Sequence, residues 1–257
     1  MSRVVVDDLG AEVALPDGPV TRVVSLVPSL TEAVAVTRRE ALVGATDWCT
    51  HPADLDVTRV RGTKNPDRAA VAGLHPELVL AVQEENRELD VRRLRAAGVP
   101  VWVGVVESVD QAVDAMERIF GEVLAWGVPD WLARVRELWV PAGGSPPAPR
   151  ARVAVPVWRD PWMVVGSATF TGDLLARAGL INVFADHPER YPALPVEEVD
   201  GAGADVVLLP DEPYEFTADD GPEAFGRTPT RLVSGRLLTW YGPAMEEAWD
   251  HLAAVEA

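Results

Sequence analysis

The chain has 257 residues, of which 48 % are apolar and 25 % charged, a composition that suits one large globular domain or two smaller lobes. The formal net charge is −17, from 40 acids against 23 bases. Because such a field repels phosphate backbones, we expect no nucleic-acid partner. No apolar run approaches the roughly 20 residues of a membrane span, so we expect no membrane insertion.

The first residues, "MSRVVVDDLGAEVALPDG", lack the basic head and long apolar stretch of a secretory signal. They also lack the cysteine that a lipid anchor needs. The single cysteine, Cys49, excludes an intramolecular disulfide. As written, the sequence predicts a cytoplasmic protein, unless its true start lies upstream.

Strands alternate with helices through the first half. In chain order, we predict an edge hairpin (Val4–Val6 and Glu12–Leu15), a strand at Arg22–Ser29, a helix "LTEAVAVTRREA" capped by Ser29 or Thr31, a strand from Leu42, a helix "DRAAVAGL", a strand at Glu77–Val82, a helix "ENRELDVRRLRAAG" closed by Gly98, and a strand at Val99–Val105. This spacing indicates βαβ units and a mostly parallel sheet.

Two helices interrupt this alternation, and the second of them is placed at Pro129–Val140. The segment Pro141–Ala151, rich in Pro, Gly and Ala, is typical of a flexible or extended connector. We therefore predict an α/β fold of two Rossmann-like lobes. The N-terminal lobe covers residues 20–121, a bridging helix and connector cover 122–150, and the C-terminal lobe covers 151–257.

The second half repeats the pattern of the first. "RVAVPVWRDP" (Arg152–Pro161) corresponds to "RVVSLVPS", "INVFADHPERYP" to "LVGATDWCTHP", and "ADVVLLPDEPY" to "PELVLAVQEEN". The order is kept although few residues are identical, so we predict an internal pseudo-repeat.

Ligands of open parallel sheets bind outside the carboxyl ends of the strands, and two-lobed proteins place their pockets between lobes. The residues that follow the predicted strands are therefore the candidate ligand-binding set. In the first half they are Ser29, Trp48, His51, Lys64, Asn65, Glu84, Glu85 and Asn86. In the second half they are Trp158, Arg159, Trp162, Tyr191, Glu212, Tyr214, Phe216, Trp240 and Tyr241.

Aromatic residues are concentrated in this set. It holds four of the 9 tryptophans and all 3 tyrosines of the chain. Rigid apolar faces with polar edges suit a large planar or ring-containing ligand. The alternative is that these side chains cap the core at the lobe rims. The other tryptophans, which are Trp102, Trp126, Trp131, Trp139 and Trp249, are predicted to pack inside the fold.

No motif for catalysis is present: the chain has no phosphate-binding loop, no dinucleotide fingerprint and no nucleophile elbow. A zinc site formed by Cys49, His51 and either Glu84 or Glu212 is the alternative. Four histidines are few for a dedicated metal site. We therefore predict a binding protein with no catalytic residue, no intrinsic cofactor and no direct metal ligand.

Seven segments resemble a known family. "RVVSLVPSLTEAVA", "LVGATDWCTHP", "RGTKNPD" and "HPELVLAVQEENRELDVRRLRAAGVPVWV" are similar to the first lobe of the helical-backbone metal receptor superfamily. These are the class III periplasmic-type binding proteins, which include vitamin B12 and ferric-siderophore receptors. "VWRDPWMVVGSATFTGDLLARAGLINV", "LLPDEPYEF" and "LLTWYGPAM" resemble the second lobe of a branch described as cobalamin-binding-like.

The resemblance implies two α/β lobes joined by one rigid helix, a ligand cleft between them, and delivery of the ligand to an ABC permease without catalysis. Trp48, Trp158, Trp162 and Trp240 match positions that line the family's cleft, and the "TKNP" and "EEN" loops face it. Two features depart from the family. The chain has no export signal, and the bridging helix is short.

In the predicted cleft, the acids outnumber the bases: Glu84, Glu85, Asp211, Glu212 and Glu215 against Lys64, Arg159 and Arg190. This charge favours a corrinoid or a related metal chelate, because a corrinoid is largely neutral. Anionic ferric siderophores and haem would instead favour an arginine-lined site. An organic cation held by aromatics and carboxylates is a competitor. A cytoplasmic sensor or an enzyme on the same scaffold is the alternative of another class. We expect a monomer.

Overall fold

The computed structural model describes residues 2–141 and 147–256. These residues form two compact units. Unit 1 comprises the chain up to Val106 together with Gln111–Val135 and Tyr241–Pro243. Unit 2 comprises Glu107–Asp110, Arg136–Trp240 and the chain from Ala244. The lobe boundaries expected from the sequence stay a prediction.

The first part of the chain supplies strands and helices in alternation. They are β1 (Ser2–Val6), β2 (Glu12–Pro16), β3 (Val23–Ser25), α1 (Pro28–Arg38), β4 (Leu42–Ala45), β5 (Thr58–Arg59), α2 (Arg68–Gly73), β6 (Leu78–Val82), α3 (Glu88–Ala96), β7 (Val101–Gly104), α4 (Val109–Arg118) and α5 (Asp130–Trp139). A 3₁₀ turn at Arg39–Ala41 follows α1, and a π-helical turn at Ile119–Val123 follows α4. The hairpin β1–β2 is antiparallel, as predicted.

Unit 1 is built on a five-stranded sheet in the order β5-β4-β3-β6-β7, and its strands are all parallel. Every residue of β6 is buried, which is typical of a central parallel strand covered on both faces. Valines from β3, β6 and β7 form one core cluster with Val91 and Leu94 of α3. Gly98, with φ 80°, follows α3, so the predicted helix end is confirmed.

The predicted cap of the first helix is wrong. The helix begins at Pro28, its N-cap is Val27, and no side chain caps it. Proline is preorganised for a first helical turn, so the helix starts one residue before Ser29. Thr31 lies inside the helix, where its hydroxyl donates to the Val27 carbonyl at 2.9 Å. The preceding strand is correspondingly shorter than predicted.

The predicted helix at Pro129–Val140 is observed as α5, and the boundary between the units falls within it, after Val135. Trp131 packs edge-on against Phe120 in unit 1, with ring centroids 5.6 Å apart. Trp139 packs edge-on against Trp249 in unit 2, at 5.0 Å. Trp102, Trp131 and Trp139 are buried, which confirms their predicted packing role.

Unit 2 is formed mainly by the second half of the chain. Its further elements are β8 (Ala151–Ala154), β9 (Pro156–Trp158), β10 (Met163–Val164), α6 (Phe170–Arg177), β11 (Leu180–Asn182), α7 (Val196–Asp200), β12 (Val206–Pro210), a 3₁₀ turn at Pro222–Ala224, β13 (Thr230–Val233), α8 (Arg236–Thr239) and α9 (Ala244–Ala253). The sheet order is β11-β8-β12-β13, again with all strands parallel. The predicted α/β class with mostly parallel sheets is confirmed.

Apart from β5, which lies at the edge of the first sheet, the two sheets share one strand order. In each, the first parallel strand has the second on one side and the two later strands on the other, which gives β4-β3-β6-β7 and β11-β8-β12-β13. The predicted pseudo-repeat is therefore confirmed at the level of topology. The fourth strand of unit 2, β13, was missed in the sequence.

The predicted strand at Arg152–Pro161 is wrong in detail. It is divided into β8, which joins the parallel sheet, and β9, which pairs antiparallel with β10. This hairpin has no counterpart after β3, where a helix follows directly. Residues 142–146 of the predicted connector lie outside the described residues. Within the described part of the chain, no helix has the length and apolar character required to cross a bilayer.

Candidate functional site

The parallel sheet of unit 1 places the ends of four strands at one edge. Ser29 follows β3, Trp48 and His51 follow β4, Lys64 and Asn65 follow β5, and Glu84, Glu85 and Asn86 follow β6. Parallel strands end at the same side of a sheet, so the sequence alone predicts that these segments lie near one another. It does not predict which of their side chains face solvent.

Asn86 holds this edge together. Its side-chain amide donates to the Leu26 carbonyl at 3.3 Å and to the Thr63 carbonyl at 3.0 Å, and its oxygen accepts the Val82 N–H at 2.9 Å. The residue is 6 % exposed. Its polar groups are therefore committed to the backbone of three neighbouring segments, and its role in this structure is to position them.

Trp48 is the most exposed tryptophan among the named candidates, with 65 % of its surface accessible. Gly62 supports it. A Cβ at position 62 would lie 3.3 Å from the Trp48 indole nitrogen and 2.6 Å from Asn65 Oδ1. Glycine thus permits the loops that follow β4 and β5 to approach each other. Lys64 is exposed, and its ammonium donates to the Glu84 carbonyl at 2.5 Å.

Tyr241 belongs to unit 1, although it lies late in the chain. Its phenol is buried, and this burial raises the pKa of Tyr241 well above its usual value. The nearby carboxylates of Glu85 and Glu84 act in the same direction, and the Ser29 hydroxyl opposes them. Tyr241 therefore stays protonated at neutral pH and lies beside two acids of the candidate set.

The alternative zinc site is not supported by the surroundings of Cys49. Its thiol is buried, 3.0 Å from Thr31 Oγ1 and 3.1 Å from Thr46 Oγ1. Burial raises the pKa of Cys49, so the thiolate that metals require is disfavoured. His51 is half-buried, with Nδ1 3.1 Å from Thr50 Oγ1. In the described part of the chain, no group of three or more His, Cys, Asp or Glu residues is placed to hold a metal ion.

In unit 2, aromatic candidates from two neighbouring segments pack together. Trp158, at the end of β9, is 44 % exposed and lies edge-on to Tyr214, with ring centroids 5.7 Å apart. Tyr214 contacts Phe216 at 4.7 Å, and Phe216 stacks on Trp162 at 5.6 Å. Trp162 and Phe216 are buried. The two buried rings thus form a base on which the two accessible rings are held.

Acids that were missed in the sequence fix this cluster. Arg159 pairs with Asp220 and, at 2.6 Å, with Glu223, and its guanidinium lies 5.3 Å from the centre of the Trp162 ring. Asp220 also accepts the Tyr214 hydroxyl at 2.7 Å, which raises the pKa of Tyr214. The pKa of Glu223 is lowered, first by the Gly221 N–H and then by Arg159. Arg159 is therefore already neutralised by protein carboxylates.

The segment that carries Glu212 and Tyr214 depends on one glycine. A Cβ at Gly235 would lie 2.5 Å from the Glu212 carbonyl oxygen and 2.8 Å from its amide nitrogen. The Gly235 N–H donates to Asp211 Oδ1 at 2.7 Å. Glycine after a strand is a recognised sign of close backbone approach, so this position could have been found in the sequence.

Tyr191 and Trp240 complete the unit 2 set. Tyr191 is half-buried in a segment whose Arg190 carbonyl accepts the Gly166 N–H at 2.8 Å. Trp240 is 6 % exposed and directly follows α8.

The candidates divide by accessibility. Six are buried and serve as supports: Ser29, Asn86, Trp162, Phe216, Trp240 and Tyr241. The accessible or half-buried ones are Trp48, His51, Lys64, Asn65, Glu84, Glu85, Trp158, Arg159, Tyr191, Glu212 and Tyr214. Only the second group can contact a ligand without rearrangement. Ligand binding by either group stays a prediction.

Known proteins with a related sequence or fold share this architecture. No protein-family model matches the chain. A vitamin B12-binding protein of Vibrio cholerae serotype O1 is 23 % identical over 188 residues, which cover 70 % of this chain and 67 % of that protein.

Two solved structures match almost the whole fold. The periplasmic haem-binding protein RhuT from Roseiflexus sp. RS-1 has a TM-score of 0.74 and 23 % identity, and the match covers 91 % of this chain and 98 % of RhuT. The periplasmic vitamin B12 binding protein BtuF of Vibrio cholerae has a TM-score of 0.69 and 18 % identity, with 91 % and 96 % covered.

The chain therefore shares the α/β fold of these proteins. Its predicted resemblance to the helical-backbone metal receptor superfamily, the class III periplasmic-type binding proteins, is confirmed. The solved relatives named here are described as periplasmic, so the expected cytoplasmic location gains no support from them.

Proposed function

We propose that the protein is a non-catalytic binding protein for a corrinoid or a related metal chelate. The observation that carries this proposal is the exposure of Trp48 and Trp158, one in each unit and each in or next to a segment that follows a parallel strand. Leaving an indole in water forgoes roughly 2 kcal/mol of burial, so a partner surface is the physical explanation that we favour. The predicted cleft between the lobes stays a prediction.

The charges of the candidate residues favour a neutral ligand over an anionic one. Glu84, Glu85 and Glu212 contribute carboxylates, whereas Arg159 is already paired with two acids. An anionic siderophore or haem would have to displace these internal pairs. A corrinoid offers a broad apolar ring with neutral amides, which suits aromatic faces and mixed donors and acceptors.

Delivery to a transporter is the second part of the proposal. The resemblance to class III binding proteins supports an ABC permease as the partner and export from the cytoplasm. A sensor or an enzyme on the same scaffold stays the alternative, and a monomer stays the expected state.

The test is a titration of the purified protein with cyanocobalamin, with haemin and with choline as a model organic cation. Calorimetry measures affinity, and tryptophan fluorescence reports on the site. We expect cyanocobalamin to bind. The substitutions Trp48→Ala and Trp158→Ala should each weaken it about tenfold or more, as truncation of an anchoring tryptophan does.

Val36→Ala and Ile181→Ala are the matched controls, because each removes exposed apolar surface outside the candidate set, one in each unit. They should leave the affinity unchanged. Preferential binding of haemin or choline would replace the corrinoid with that ligand class. The absence of binding by all three compounds would contradict the proposal.

A further inference from the structure

A hollow on the surface of unit 1 is lined by four arginines, on a protein whose net charge is −17. Its volume is about 530 Å³, which is within the range of small-molecule sites. The lining comes from the segment before α2, from the first turn of α2, from the residue before α3 and from α3 itself. The lining residues are Arg61, Asn65, Pro66, Asp67, Arg68, Ala69, Arg87, Leu89, Asp90 and Arg93.

The two aspartates of the hollow are already used within it. Asp90 is nearly buried and pairs with Arg68. Asp67 accepts the Ala70 N–H at 3.1 Å, and its other oxygen lies 3.6 Å from Arg61. Hydrogen bonds from the backbone lower the pKa of Asp67, so it stays charged.

Arg87 and Arg93 have no such compensation. Both are exposed, and neither guanidinium has a carboxylate or hydrogen-bond partner within residues 2–141 and 147–256. Arg87 directly precedes α3, and Arg93 lies inside it, next to Asp90 on the helix surface. Converging guanidinium groups repel one another, so their charge favours an added anion.

The backbone at Arg61 gives a second indication. Its φ is 66°, in the left-handed region that residues other than glycine rarely adopt. Its carbonyl accepts the Asp47 N–H at 2.9 Å, which holds the loop in this form. Strained positions of this kind are concentrated at functional sites.

We propose that this hollow binds a small oxyanion with two or more negative charges, held by Arg87 and Arg93 with Arg61 at its rim. Guanidinium groups bind phosphate and carboxylate oxygens through paired hydrogen bonds, so both chemistries fit. The proposal goes beyond the aromatic site and does not depend on it.

The test is calorimetric titration of the full chain at low ionic strength with inorganic pyrophosphate and, separately, with citrate. We expect at least one of them to bind and the affinity to fall with added salt. A stronger heat with pyrophosphate assigns the phosphate class, and a stronger heat with citrate assigns the polycarboxylate class. Arg93→Gln and Arg87→Gln should each weaken binding about tenfold, because each loses a charged hydrogen-bond donor.

Arg92→Gln is the matched control, since Arg92 is the exposed neighbour of Arg93 on α3 but does not line the hollow. It should bind like the parent chain. Trp158→Ala should also bind the anion normally, because Trp158 belongs to unit 2 and the hollow to unit 1. The oxyanion proposal can therefore fail while the corrinoid proposal holds, and the reverse. If Arg92→Gln weakened anion binding as much as Arg93→Gln does, the effect would come from the overall charge of the protein and not from the hollow, and the proposal would be overturned. It would also be overturned if neither pyrophosphate nor citrate bound.

Discussion

Asn86 shows what one buried amide contributes to the candidate site. Its three hydrogen bonds connect the backbone after β3, after β5 and at the end of β6. A buried polar group is stable only if it is hydrogen-bonded, and here each partner is also a backbone group that needs satisfying. The position of the neighbouring Glu84 and Glu85 therefore depends on this side chain.

The substitution Asn86→Ala should reduce the free energy of unfolding by about 3 kcal/mol, because it leaves buried backbone groups without partners. Urea denaturation measures this change. Asn65→Ala is the control, since Asn65 is exposed, and it should change stability by less than about 0.5 kcal/mol. Equal stabilities of the two variants would show that Asn86 does not support the loops.

At the scale of elements, the ends of neighbouring strands control the site through close backbone approach. The loops after β12 and β13 meet at Gly235, which lies against the backbone of Glu212 and donates to Asp211. The side chains of β12 are buried, so the strand itself contributes packing and its loop contributes the accessible Tyr214.

Gly235→Ala should therefore shift the segment that carries Glu212 and Tyr214. We expect a loss of roughly 1–3 kcal/mol in stability, measured by urea denaturation, together with weaker cyanocobalamin binding. Gly121→Ala is the control, because a Cβ at that position would meet no atom within 4 Å apart from its chain neighbours and the backbone of its own helix. If Gly235→Ala were as stable as Gly121→Ala and bound cyanocobalamin normally, the close contact with Glu212 would not control the position of this segment.

At the scale of the whole molecule, the protein consists of two units whose sheets have related strand orders. It also carries a large negative net charge. The 40 acids exceed the 23 bases, so at least 17 carboxylates have no basic side chain to balance them. Mutual repulsion among these charges opposes the compact state, and exposed ion pairs offset little of it.

Added sodium chloride should therefore stabilise the protein at neutral pH. Raising the salt from 0.01 M to 0.1 M shortens the screening length from about 30 Å to about 10 Å. We expect the thermal midpoint to rise by a few degrees, measured by circular dichroism. Near the pH at which the net charge is zero, the same addition should have little effect. A fall in the midpoint at neutral pH would mean that attractive ion pairs dominate instead.

Periodicity predicted most of the fold because parallel strands and their covering helices have distinct apolar patterns. β6 and β12 are continuous apolar runs and were located closely. The division between β8 and β9 was not predicted, because a hairpin that leaves the parallel sheet has the same apolar composition as a longer strand. Pro28 displaced the expected cap because its fixed φ already suits a first turn.

The sequence by itself determined the α/β class, the repeated pattern of the two halves, and the segments that meet at the sheet edges. Only the tertiary structure decided that Trp48 and Trp158 are accessible while Trp162 and Trp240 are buried, and that Asp220 and Glu223 neutralise Arg159. It also brought Arg61, Arg87 and Arg93 to one hollow. The physical reason is that periodicity reports which face of an element is apolar, whereas accessibility and charge pairing arise from contacts between residues far apart in the chain.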